Sequence, residues 1–475
     1  MLLRERFQVT RPLEEMELAL VRASVTDAGL VNPIEEGVVR TALSLARLYK
    51  VRHEGRDVGV GAALTPFREE VSRRLGPVLL GRTAPTRELL APHLRDLKER
   101  TLRTRDELVK RFETRLPADA IHREIRHKAL VLVSGGGGGT GYVYVGVMAL
   151  LDEFGLKPAL LVGTSIGAVL SLFRSRMTRF DLTEIVNIVR GLSWRKLFRV
   201  ISTENRYGLP AALRLFLRAG IGRYFNAASE TGELAGAGVK LSELPIPTLI
   251  TVSGIRRGML PRPIEAYERL LTLTPRSFLE PLAAARALQG SMGALAEFFT
   301  RPEIMVKLHL GADEETREFD ALDAAGFSSA LPGIIHYDVL RDDLRMRGLL
   351  DQLMEDRGIL RLVDGGLVDN VPAKAAWKAV HKGHIGTRNA FILALNGFAP
   401  KLTTPLWLPL ERFAELTVAE NRPYAHLFKD FKKTLSPLEL VPSVEMLSRA
   451  VEMGRRQLTD DLPFLSRVMA PLPPL

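Results

Sequence analysis

Ala129-Leu130-Val131-Leu132-Val133-Ser134, followed at once by Gly135-Gly136-Gly137-Gly138-Gly139-Thr140-Gly141, is the stretch on which the reading of this chain turns. Five consecutive apolar residues predict a strand buried on both faces. The glycines predict a tight loop. Tyr142 to Phe154 then has helical character, stopped by Gly155 with Pro158 beyond it. Ala159 to Val162 is a second short apolar run, and Ile166 to Phe173 opens a second helix. Strand, helix, strand, helix with short connections is the signature of a parallel sheet in an α/β layer fold.

The turn between the second strand and its helix is Gly163-Thr164-Ser165-Ile166-Gly167. A Gly-x-Ser-x-Gly in that position is a nucleophile elbow. Gly163 and Gly167 let strand and helix approach closely, and the Ser165 hydroxyl is held outward at a helix N-terminus, where developing negative charge is favoured. The glycine run upstream has two readings. As a phosphate cradle it lacks partners, because no Gly-Lys-Ser/Thr follows. Gly136-x-Gly138-x-x-Gly141 has dinucleotide spacing, but no acid falls among Leu156 to Val162, where one is expected. As an oxyanion site, consecutive glycines can aim backbone N–H groups at one point. One βαβ unit from Ser165, this second reading is preferred.

Some 200 residues on, Leu360-Arg361-Leu362-Val363 predicts a strand that ends in Asp364-Gly365-Gly366. A carboxylate there projects at the carboxyl edge of the sheet, and desolvation would make it a better base. Asn370, before Val371-Pro372, has the pattern of a helix N-cap, and Asp369 is assigned a structural role. A Ser-His-Asp arrangement would need a histidine after the acid. His381 and His384 lie in a polar stretch expected at the surface, and His426 lies in a helical tail. A Ser-Asp dyad is the simpler account.

Taken together these residues resemble the patatin-like phospholipase family. Ala129 to about Leu170 resembles that family's opening segment. Ser328-Ser329-Ala330-Leu331-Pro332-Gly333 resembles its Ser-x-x-x-Pro segment, and Asp364 to Pro372 its Asp-Gly-Gly/Ala motif. The resemblance implies a three-layer α/β/α fold with a mainly parallel central sheet. It also implies lipid acyl-ester cleavage by a Ser165–Asp364 dyad through an acyl-enzyme, without metal or other cofactor. Gly136, Gly137 and Gly138 match the oxyanion loop. One position departs: Thr140 stands where the family usually has Arg or Lys, a cation that would help hold the loop or an anionic head group.

The 475 residues suffice for two or three domains, and 46% hydrophobic with 25% charged content is ordinary for a folded chain. The absence of cysteine excludes disulfides and thiolate chemistry. We expect a helical region over 1–125, a catalytic domain over 126–400 with a helical, basic insertion near 195–320, and a helical extension over 401–475. No signal peptide or transmembrane helix is expected, which suits a cytoplasmic or peripheral membrane protein. The net charge is +11, and Arg174 to Arg223 carries eleven basic residues against three acids. Such a segment suits an anionic membrane surface; no nucleic-acid module is recognised, so no nucleic acid is expected. Within the insertion, Ala211 to Arg218 is expected to be helical, with Leu213 to Arg218 a candidate interfacial helix, and Ala283 to Phe299 is a candidate lid. The expected substrate is a phospholipid or another acyl lipid. An acyltransferase using the same dyad, or a catalytically weak lipid-binding protein, are the alternatives.

Overall fold

A computed structural model of the chain describes residues 3–199, 206–225, 238–271, 301–339, 343–398 and 408–474. The chain opens with α1 (Leu3–Thr26) and α2 (Pro33–Arg47). A hairpin of β1 (Lys50–His53) and β2 (Arg56–Gly59) follows. Then come α3 (Thr65–Leu79), α4 (Arg87–Leu94), α5 (Leu97–Phe112) and α6 (Ala118–Arg126). The hairpin was not anticipated; its turn places Glu54 and Gly55 at positive φ. These elements share an apolar cluster of their own, running from Leu13 to Ile125. Helix α1 faces two ways. Leu13, Met16 and Leu20 join that cluster, while Leu18 and Val21 join the main core. Glu17 beneath them meets Lys128, Arg40 and Arg47. Burial pushes its carboxyl up, but the three cations outweigh it and hold it down to about 2.

The main body is a seven-stranded sheet. Its parallel centre comprises β3 (Ala129–Ser134), β4 (Pro158–Thr164), the first half of β7 (Thr248–Arg256), β11 (Ala390–Asn396) and β12 (Leu427–Asp430). β10 (Ile359–Asp364) and β8 (Met305–Leu310) pair antiparallel to β7. The order is β10-β7-β4-β3-β11-β12, with β8 on β7. Side chains alternate between two faces, as a pleated strand requires. Leu130, Leu132 and Leu161 meet α7 (Val143–Glu153), α8 (Ile166–Arg176) and the helix Val444–Thr459 on one side. Val131, Val133, Leu160 and Val162 meet the helix Ala373–Lys382 on the other. This is the expected three-layer α/β/α arrangement, and the buried double face explains why these strands are continuous apolar runs.

The C-terminal part is built into this body. A methyl group on Gly146 of α7 would sit 2.1 Å from the Val451 carbonyl, and one on Gly454 would sit 2.0 Å from that of Val143. Each helix needs the other's glycine to approach this closely. Among the described residues from 408 on are helix Leu408–Asn421, strand β12 of the central sheet, and helices Val444–Thr459 and Leu462–Met469.

Two sequence expectations about the basic segment change. α9 (Leu182–Gly191) and α10 (Trp194–Leu197) are helical, but Ala211 to Leu215 is strand β6, followed by a short helix Leu217–Ile221. β6 pairs with β5 (Phe198–Arg199) and with β9 (Gly333–His336), so Leu213 to Arg218 is not an interfacial helix. Arg214 in this strand is buried. A strand with sheet partners on both sides outweighs the local helical spacing. The candidate lid Ala283 to Phe299 lies outside the described residues. Among the described residues no helix is long and apolar enough to cross a membrane.

Candidate active site

Ser165 sits between β4 and α8 at φ 53° and ψ −126°, one of two non-glycine residues at positive φ among the described residues. Such a conformation costs on the order of 1–3 kcal/mol and persists only where the surroundings impose it. They do so here. A methyl group on Gly163 would meet the Ala168 Cα at 2.6 Å, and one on Gly167 would meet the Ser134 carbonyl at 2.1 Å. The Ser165 N–H donates to Ser328 Oγ at 2.8 Å, and Ser328 Oγ–H donates to the Thr251 carbonyl at 2.6 Å. The Ser-x-x-x-Pro segment thus ties the elbow to β7, a role that its sequence alone does not disclose.

Asp364 ends β10 and is 6% exposed. Its N–H donates to the Ala330 carbonyl, its carbonyl accepts from Ser253, and its Oδ1 accepts from the Gly366 N–H at 2.7 Å. Burial pushes the carboxyl up to about 7; the Gly366 N–H and the Ser165 hydroxyl beside it only partly offset this. The fold therefore brings together Ser165 and Asp364, which are 199 positions apart. A carboxylate balanced near neutrality against a serine hydroxyl can accept a proton there.

The glycine run divides its N–H groups. Gly135 donates to Leu395, Gly136 to Asn370, Gly139 to Pro437 and Thr140 to Gly137. Those of Gly137 (φ 130°) and Gly138 (φ 57°) have no acceptor among the described residues, and both residues line the cavity at Ser165. Gly136 instead provides close approach: a methyl group on it would sit 3.2 Å from Ser165 Cβ. Thr140 is buried, and its Oγ–H donates to the Gly137 carbonyl at 3.0 Å. The C-terminal extension closes over the same loop, with Tyr142 Oη–H donating to the Leu440 carbonyl at 2.8 Å. Neither Arg nor Lys lines the cavity among the described residues.

The cavity (≈ 210 Å³) runs from Ser165 and Asp364 between α8 and α9 to β5 and β6. Its walls are mostly apolar, among them Phe173, Ile188, Leu197, Leu215, Ile335 and Leu440. Among the described residues, two buried polar atoms on the wall have no hydrogen-bond partner, Ser329 Oγ and Asn370 Nδ2.

Asn370 is not a helix cap. The helix starts at Ala373, and its N-cap position is Pro372, because Val371-Pro372 adds a bend before the first turn. Asp369 is structural as expected: it is buried and accepts from Asn421 Nδ2 at 2.6 Å. His381 is buried rather than at the surface, with Nδ1 2.8 Å from the Tyr49 hydroxyl of the N-terminal region. The N-terminal helices cover a stretch whose composition suggested exposure. His426 is also buried, held by Glu14 and by the Ile392 N–H. No histidine lines the cavity among the described residues.

The strand–elbow–helix serine, the buried carboxylate and the apolar cavity thus lie together in an α/β/α sandwich. A family model for patatin-like phospholipase matches residues 132–377, just over half of the chain, and the chain belongs to that family. Among curated proteins, none matches it.

Proposed function

We propose that this protein is a lipid acyl hydrolase of the phospholipase A or lysophospholipase type, working through a Ser165–Asp364 dyad. The observation that carries the proposal is the Ser165 hydroxyl, presented at positive φ against the buried Asp364 carboxylate at the polar end of an apolar cavity. Asp364 takes the Ser165 proton as Oγ attacks the ester carbonyl. The oxyanion that forms is met by the N–H groups of Gly137 and Gly138 and by the N-terminal end of α8. Collapse expels the alcohol, which takes the proton from Asp364. Water then cleaves the acyl-Ser165 ester by the same route in reverse. The apolar walls suit an acyl chain.

Thr140 supports a neutral way of holding the oxyanion loop. Its hydroxyl and its N–H both donate to the Gly137 carbonyl. The Gly138 N–H belongs to the same planar trans peptide unit, so fixing the carbonyl fixes that N–H on the opposite side. The loop is thereby oriented without the cation usual at this position.

The partner surface we propose is an anionic membrane, contacted through the segment 174–223 by a peripherally bound protein. Arg176, Arg179, Arg190, Arg195, Lys196, Arg199 and Arg223 are exposed, and none has a carboxylate partner among the described residues. Trp194, 49% exposed, stands among them, and the inner side of the same helices lines the cavity. The test of the activity is product analysis on mixed phospholipid vesicles. Wild type should release fatty acid and lysophospholipid, and Ser165→Ala should release neither; equal release by both would refute the dyad.

A further inference from the structure

Asn370 has its main chain fully engaged and its side chain unused. Its carbonyl accepts from the Gly136 N–H at 3.2 Å, and its N–H donates to Thr417 Oγ1 at 3.3 Å. Asn370 is 3% exposed, yet its buried Nδ2 has no hydrogen-bond partner among the described residues. A buried, unpartnered amide N–H₂ is costly, and one on the wall of this cavity points to a ligand.

Its position narrows which ligand. A methyl group on Gly136 would lie 2.8 Å from Asn370 Oδ1 and 3.2 Å from Ser165 Cβ. One on Gly366 would lie 3.0 Å from Asp364 Oδ1 and 3.1 Å from Asn370 Oδ1. Oδ1 therefore flanks both members of the dyad. Asp364 must handle a proton twice in the proposed reaction. In acylation the Ser165 Oγ–carbon bond forms, the carbon–alkoxide bond breaks, and the serine proton passes through Asp364 to the departing alcohol. In deacylation the water oxygen bonds to the acyl carbon, one water proton goes to Asp364, the bond to Ser165 Oγ breaks, and Oγ recovers the proton. Water brings a second O–H that an alcohol does not have. With one proton directed to Asp364, that second O–H needs its own acceptor if the lone pair is to face the carbonyl.

We infer that Asn370 Oδ1 is this acceptor, a water-positioning group that favours hydrolysis of the acyl-enzyme over transfer of the acyl group to an alcohol. The inference rests on the dyad reading of the site and specifies how that site chooses its acceptor.

The experiment measures partitioning. Full-length wild type, Asn370→Leu and Asn370→Ala are given a chromogenic acyl ester with methanol at fixed concentration, and free acid and methyl ester are quantified. A neutral hydrogen bond present only for water corresponds to about a three- to tenfold fall in the acid-to-methyl-ester ratio in both variants. The ratio is set after the common acyl-enzyme, so it does not depend on how much variant folds. A role in packing alone would slow both products together, and an unchanged ratio would overturn the inference while leaving the dyad standing. If mass spectrometry of wild type detects no acyl adduct on Ser165 during turnover, the dyad reading fails and the inference falls with it.

Discussion

Replacing Asp364 with asparagine should stabilise the protein, and by more at alkaline than at acid pH. The side chain keeps its size and keeps an acceptor for the Gly366 N–H, but it can no longer be charged. In the wild-type fold the carboxyl is raised to about 7, chiefly by burial, against about 3.9 in the unfolded chain. An acid whose folded pKa is raised binds more protons folded than unfolded between those values. Stability is therefore greatest below about pH 4 and falls as pH rises towards 7, beyond which the loss is constant. Between pH 5 and pH 8 the wild type crosses about two pH units of that window, worth roughly 2–3 kcal/mol. For a chain of this length melting as one unit, roughly 1 kcal/mol corresponds to one degree. The Tm advantage of Asp364→Asn over wild type should thus be about 2–3 °C larger at pH 8 than at pH 5, read by scanning calorimetry. Comparing the two proteins at each pH cancels the other titrating groups. An advantage that is the same at both values, or larger at pH 5, would refute the claim that the base is held desolvated.

The same carboxyl sets the pH profile: kcat/KM on a soluble acyl ester should fall about tenfold per pH unit below about 6, as the base protonates, and level off above about 8. Thr140→Val, which keeps shape but leaves the Gly137 carbonyl only the main-chain N–H of residue 140, should lower kcat about 10- to 100-fold with KM nearly unchanged, and Thr140→Ser should retain most activity; equal losses for both would contradict the orienting role. The double variant Arg195→Glu/Lys196→Glu should weaken sedimentation with anionic vesicles about tenfold or more while sparing a soluble ester substrate, because each basic side chain contributes roughly 1 kcal/mol at such a surface.

The central sheet was legible because its strands are buried on both faces, so Ala129 to Val133 and Phe391 to Leu395 carry an uninterrupted apolar signal. The elbow and Asp364 were legible because turn chemistry is local: Gly163 and Gly167 mark close approach and Gly365-Gly366 marks a strand end. What depends on distant partners was not. Ala211 to Leu215 has helical spacing and becomes a strand because β5 and β9 offer it partners. His381 has polar neighbours in sequence and is buried by Tyr49, 332 positions away. The division of labour among Gly136 to Gly139 depends on Asn370, which accepts from Gly136, and Pro437, which accepts from Gly139, and no spacing within the loop reveals it. Thr140 looked like a defect beside its family's usual cation. Only its bond to the Gly137 carbonyl discloses a neutral substitute. Ser328 and Asn370 were visible as motif letters, but their roles lie in contacts made across the sheet.

The most direct test of the account is covalent labelling of the nucleophile. Full-length protein treated with a serine-directed fluorophosphonate should take up one equivalent, mapped by peptide mass spectrometry to Ser165, and Asp364→Asn should label far more slowly. Stoichiometric labelling at another serine, or unimpaired labelling of Ser165 in Asp364→Asn, would contradict a Ser165–Asp364 dyad.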